Sequence, residues 1–127
     1  MAFITRDTYT YKDNNTAILI ASALVAGEDI DAASPVMVKS DGLVYMSAGT
    51  SGSTAGVVDY IGFVDKAAKA GEPVSVWKGR FHYAAGTLTI GKALFLTSGS
   101  AGYLQDDVLT SNPSVAVALT ASDILVK

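Results

Sequence analysis

The chain has 127 residues, a formal net charge of −3 and no cysteine; 50% of it is hydrophobic and only 17% charged. That length supports one domain with its own core, and so apolar a chain is not mainly disordered. The lack of cysteine removes disulfides, thiol nucleophiles and thiolate metal sites. An acidic balance without a basic cluster excludes direct nucleic-acid binding, which takes several Lys or Arg on one face.

The stretch MAFITRDTYTYKDNN lacks the basic-then-apolar order of an export signal, so none is expected. Residues 1–16 alternate in bulk through Phe3, Thr5, Thr8, Tyr9 and Tyr11, and Tyr9 and Tyr11 share a face if the segment is extended. The segment reads either as an arm laid on a partner or as an edge strand, with 17–127 as a single β domain. AILIASALVA, Ala17 to Ala26, is the longest apolar run. It falls far short of the roughly 20 residues of a membrane helix, so no membrane partner is expected. Ile18, Ala21, Leu24 and Val25 fit helical spacing, and a short helix near 17–26 ended by Gly27 competes with a strand. β-branched content favours the strand.

PVMVKSDGLVYMS predicts a hairpin. Pro35 opens it, Ser40-Asp41-Gly42 turns it, and Val36 and Val38 share a face that Val44 and Met46 can meet from the return strand. GTSGSTAG, 49–56, is a loop by composition, and VVDYIGFVDKAA reads as a buried strand. Ala70-Gly71-Glu72-Pro73 is a turn into VSVWKGRFHYAA, where Val74 and Val76 alternate with Ser75 and Trp77. Later, ALFLTSGSAGYL repeats the strand, small-residue corner, strand pattern, Asn112-Pro113 marks a turn, and SVAVALTASDILVK supplies two short apolar pieces. PVMVKSDGLVY corresponds in order to ALFLTSGSAGYL, and YIGFVDKAAKAGEPVSVW to SVAVALTASDILVK. The halves 22–80 and 84–127 thus suggest an internal duplication. Turn signals about 8–12 residues apart predict an all-β fold, a small β-barrel or sandwich built from short hairpins.

The chemistry-bearing motifs are weak. Lys39 at a hairpin end resembles a carrier-protein lysine, but Val38 and Ser40 stand where biotinyl carriers have methionines and lipoyl carriers an acid; a solvated strand-end lysine is the plainer reading. GTLTIGKA, Gly86 to Ala93, nearly spells a P-loop, yet Ala93 has no hydroxyl for Mg²⁺ and no helix signal follows. It reads as a turn into a strand. His82 is the only histidine; a triad would need an aligned Ser and Asp, and no G-x-S-x-G elbow is present. In FHYAAG it faces outward or packs among aromatics. Glu28, Asp29 and Asp31, and Asp106 and Asp107, lack EF-hand spacing and read as solvated loop acids. No catalytic, metal or cofactor site is expected. Trp77, with Phe81 and Tyr83, could form an aromatic platform for a sugar or a partner, although core or subunit-interface packing is the plainer reading.

The order of segments resembles the head decoration, or capsid cement, proteins of tailed bacteriophages. AGEDIDAASPVMVKSDGLVYMS, YIGFVDKAAKAGEPVSVWKGRF, AAGTLTIGKALFL, GYLQ and VAVAL carry the resemblance, over roughly residues 22–127. It implies a non-enzymatic all-β protein on the outer surface of the virion capsid, often a homotrimer, that locks neighbouring major capsid protein subunits together. Phe3, Ile4, Tyr9 and Tyr11 are then candidate capsid contacts, because a terminal segment is free to lie across a partner. Trp77, Phe81 and Tyr83 are candidate contacts between copies. Another virion β-module, such as a head-fibre base or a host-surface or glycan-binding protein, is the alternative.

Overall fold

The computed structural model describes residues 3–48, 60–97, 101–106 and 114–127. The loop expected at 49–56, the first residues of the VVDYIGF strand, the corner at 98–100, Asp107 and the Asn112-Pro113 turn lie outside the described residues. The described chain is all β. Its strands are β1 (Phe3–Ile4), β2 (Tyr11–Lys12), β3 (Ile18–Val25), β4 (Pro35–Val38), β5 (Val44–Met46), β6 (Gly62–Val64), β7 (Pro73–His82), β8 (Ala93–Leu96), β9 (Leu104–Gln105), β10 (Ser114–Ala118) and β11 (Asp123–Val126). They form one curled sheet in the order β1-β9-β8-β10-β11-β7-β6-β4-β5, with β2 and β3 paired to β7 as well. Every ladder between named strands is antiparallel.

The ten-residue strand β7 is the spine. Its first part lies between β3 and β6, since Trp77 pairs with both Leu19 and Phe63. Its last part lies between β2 and β11, since His82 pairs with both Tyr11 and Asp123. Gly79 stands at the changeover with φ +109°. A Cβ there would lie 2.5 Å from the Thr16 carbonyl oxygen and 2.9 Å from Ala17 Cα, so only glycine lets the β2–β3 connection cross this close.

The spine divides the molecule into two lobes with the same pairing scheme. In the first, the β4–β5 hairpin carries β6 on the free side of β4, and β6 pairs with β7. In the second, the β8–β9 hairpin carries β10 on β8, and β10 pairs with β11. Each lobe has its own core. The first is built on Val36, Val44, Val64, Val74 and Val76; the second on Phe81, Tyr83, Leu94, Leu96, Leu104 and Ile124, with Phe63 packed in from β6. Fully burying one such side chain contributes roughly 1.5–3 kcal/mol, so the larger aromatics and leucines make the second core the heavier one.

Local chemistry explains the turns. At the β4–β5 corner the Asp41 carboxylate accepts the Leu43 N–H at 2.9 Å and Gly42 takes φ +80°, an Asx-type turn. The register then sets Val36 opposite Met46 and Val38 opposite Val44. Pro73 opens β7, where its missing N–H costs no ladder bond. Gly86–Ala93 is turn and strand start, with Gly91 at φ +83° and β8 beginning at Ala93, so it lacks the helix that a phosphate-cradling loop must open.

One local alternative is corrected. Residues 18–25 are strand β3, not a helix. The ladder to β7 shifts register between Leu19 and Ala21 and again between Ala21 and Leu24, and Ala23 adopts φ +60°. These irregularities bring Ala21 and Leu24, three residues apart, onto the same core. A bulged strand has therefore copied the spacing of a helix.

The N-terminal segment lies on its own fold. β1 pairs with β9, the Asp7 N–H donates to the Tyr83 carbonyl at 2.8 Å, and β2 pairs with β7. Residues 3–12 thus form a strap from the outer edge of the second lobe back to the spine. In the first lobe, the tie between its ends is a parallel bridge from Ala26 to Val44, beside a Gly27 N–H to Val44 carbonyl bond of 2.8 Å.

Candidate functional site

The residues picked out from sequence are not brought together as one patch. Phe3 sits in β1, paired with Gln105. Ile4 is buried in the second core, whereas Tyr9 is 79% and Tyr11 58% exposed. Trp77 is half-buried, with Lys12 Nζ 4.5 Å from its ring centroid, while Phe81 and Tyr83 are fully buried. Phe81 packs against Phe63 at 5.7 Å between centroids. Ile4, Phe81 and Tyr83 therefore face the protein's own core; Tyr9, Tyr11 and part of Trp77 remain on the surface. Lys39 rests over the Tyr45 ring at 4.3 Å, and Tyr45 donates its hydroxyl to Asp41 at 2.5 Å, which lowers the Asp41 pKa and raises that of Tyr45.

The early acids hold loops. Glu28 accepts the Met46 N–H at 2.9 Å, Asp29 accepts the Ala70 N–H at 3.0 Å, and Asp31 pairs with Arg6 at 3.1 Å. Arg6 also donates to the Gly102 carbonyl at 2.6 Å and to Ser34 Oγ at 3.1 Å. It pins the strap to both lobes. Asp106 lies 3.7 Å from Lys92. Among the described residues no group of three or more His, Cys, Asp or Glu is arranged to hold a metal ion.

His82 does not stand free. Its Nε2 lies 2.8 Å from Asp7 Oδ2 on the strap, and its Nδ1 3.2 Å from Asp123 Oδ1 on β11. Tyr11 stacks on the imidazole at 4.9 Å between centroids and 14° between planes. Arg80 grips the same Asp123 at 2.7 Å. The hydrogen bond to Asp7 raises the His82 pKa above its ordinary value; partial burial opposes this and Asp123 adds to it. The Asp7 pKa is lowered, first by His82 and then by the Thr8 N–H. Because the two carboxylates meet opposite nitrogens of one ring, they brace the imidazole and do not converge on a common ligand.

The feature that stands out is an apolar sheet edge. Among the described residues, six of the eleven exposed large hydrophobic ones fall between positions 9 and 25: Tyr9, Tyr11, Ile18, Leu19, Ile20 and Val25. Tyr11 in β2 and Ile18, Leu19, Ile20 and Val25 in β3 lie along one edge of β7, because β2 and β3 run the same way along it, opposite the edge taken by β6 and β11. β3 carries no charge, and among the described residues its ladder is with β7 alone. Edge strands are ordinarily blunted by charge or proline, and contiguous apolar exposure marks an interaction surface. Sequence reasoning missed this edge because ILIASALV reads as a strand or a short helix, and neither reading says that its apolar residues stay exposed. The absence of polar alternation on a strand beside an open edge was its only local signal.

Beside the edge is an open groove of about 510 Å³, lined by Lys12, Asp65, Lys66, Glu72, Ser75 and Trp77 among others. Its walls carry charges of both signs, and Lys12, which lies over the Trp77 ring, is one of them. No family model matches the chain, and no curated protein or solved structure matches it.

Proposed function

We propose that this chain is a structural protein of a tailed-bacteriophage virion. It would decorate the outside of the assembled head and join neighbouring major capsid protein subunits, without catalysis. The exposed apolar edge of β2 and β3 carries the reading. A soluble domain gains nothing by leaving Ile18, Leu19 and Ile20 in water, whereas a partner surface laid on them buries apolar area and pairs the free strand edge. A homotrimer would present three such edges to a repetitive head, and avidity then offsets weak single contacts. The order of segments noted above supports the same reading, and the protein would be made in the host cytoplasm and end on the capsid surface.

Mixing purified protein with undecorated heads tests this. Saturable co-sedimentation, a rise in the temperature at which heads rupture, and loss of both with Ile20→Lys are the expected results. Absence of saturable binding by the wild-type chain overturns the reading. The groove beside Trp77 favours a second reading, a virion module that binds a host surface or glycan, since its open lining offers Lys12, Asp65, Lys66, Glu72 and Ser75 to the hydroxyl groups of a sugar. Binding on a glycan array without affinity for heads would select it.

A further inference from the structure

We propose that His82 is a proton-operated latch for the strap segment from Asp7 to Lys12, closed when its imidazole is doubly protonated and loosened when one proton leaves. The geometry carries this. Both ring nitrogens face carboxylate oxygens, Asp7 at 2.8 Å and Asp123 at 3.2 Å. Carboxylates only accept, and a neutral imidazole has one N–H, so only the imidazolium can donate to both. With one proton gone, one carboxylate faces a nitrogen lone pair. The Tyr11 ring, stacked at 4.9 Å, also loses the attraction of its π face for a cation.

The two carboxylates are not equal. Asp123 keeps Arg80, whose Nε and Nη2 lie 2.8 and 2.7 Å from Oδ2. Asp7 keeps only the local Thr8 N–H at 2.7 Å among its described side-chain partners. The strap is therefore the end that yields. The groups facing His82 are Asp7 from the strap, Tyr11 from β2, and Asp123 from β11 with its partner Arg80 from β7. The raised His82 pKa agrees with this surrounding charge. Arg6 and buried Ile4 hold the earlier part of the strap at any pH, so what loosens is the stretch that displays Tyr9 and Tyr11. The consequence for head binding rests on the capsid reading; the latch itself does not.

Amide exchange on the full chain tests the latch. Two reporter amides flank the cluster: Asp7 N–H, bonded to Tyr83, and Asp13 N–H, bonded to Arg80, both at 2.8 Å. Protection corrected for intrinsic rates is expected to fall about twofold between about pH 5.5 and pH 8.5. Core amides of β10 and β11 should stay unchanged. His82→Gln is expected to give the weaker protection at both pH values, and Asp7→Asn to move the imidazole titration to lower pH. If His82→Gln does not fold, the Asp7→Asn titration and the wild-type exchange still decide. Equal wild-type protection at both pH values, or a pH-dependent fall that persists in His82→Gln, overturns the latch. A latch that titrates in a protein with no affinity for heads leaves the latch standing and removes the capsid reading. Head binding with flat exchange does the reverse.

Discussion

The two lobes share a pairing scheme but finish their outer edges differently. In the second lobe the free edge of β9 is taken by β1, and Ile4 enters a core of Phe81, Tyr83 and four leucines. In the first, β3 closes against the spine, yet Ile18, Leu19 and Ile20 stay in water. The same strand order thus ends in two ways: one edge is sealed by a further strand and a buried side chain, the other leaves apolar side chains exposed. The spine makes this division workable, because β7 gives half its length to each lobe and changes partners at Gly79.

The comparison breaks most severely at Gly79. Gly79→Ala combines a positive φ with a Cβ 2.5 Å from backbone at Thr16. Since the contact is with main chain, no rotamer relieves it, and we expect a loss of about 3 kcal/mol in urea unfolding. A loss under about 1 kcal/mol would mean that the spine yields at this point, and that the two lobes are not held as described.

Next is a direct test with one residue type on two edges. Ile4 is 8% exposed and Ile18 is 64% exposed. Ile4→Ala should cost about 2–3 kcal/mol, as a core truncation does. Ile18→Ala should change stability by about 0.5 kcal/mol or less. Similar losses at both positions would show that β3 is not the exposed edge and that the contrast between lobes is wrong.

Much of the local structure was legible from sequence, because it rests on short-range chemistry. Asp41-Gly42 announces its turn, Pro35 marks a strand start, and Val74 and Val76 alternate as a strand requires, although β7 already begins at Pro73, which reads as the end of a turn. PVMVKSDGLVY and ALFLTSGSAGYL each supply a hairpin whose first strand also pairs with a third strand, β6 in one case and β10 in the other. What stayed hidden depends on long-range closure. His82 meets Asp7 across 75 positions and Arg6 reaches Gly102 across 96, and neither pair carries a local signal. β3 misleads for another reason. Two register shifts give it helix-like spacing, and its apolar content suggests burial where there is exposure.

Ile20→Lys sharpens the functional side of the comparison. Ile20 is 46% exposed, so folding stability should move by about 0.5 kcal/mol or less. On the capsid reading, binding to undecorated heads should fall sharply, because a charge on a strand edge opposes pairing with another chain. If head binding persists unchanged, β3 is not the contact edge, and the contact surface has to be sought at the Trp77 groove instead.

The smallest expected effect is the pH dependence of stability, and its sign follows from His82 and Asp7. The folded His82 pKa is raised above its ordinary 6.5, so its contribution is present in full below about pH 6.5 and is lost as pH rises through the folded value. The folded Asp7 pKa is lowered from 3.8, so its contribution is present above about pH 4 and is lost as pH falls through the folded value. The pair is therefore strongest between these limits. Because the cluster is partly open to solvent, the His82 contribution should be only about 0.5 kcal/mol after screening. Urea unfolding of wild type and His82→Gln across this range isolates it. The difference between them should shrink on the alkaline side and also diminish in high salt. A difference that grows with pH would reverse the assigned sign, and would mean that His82 is held neutral between the two carboxylates.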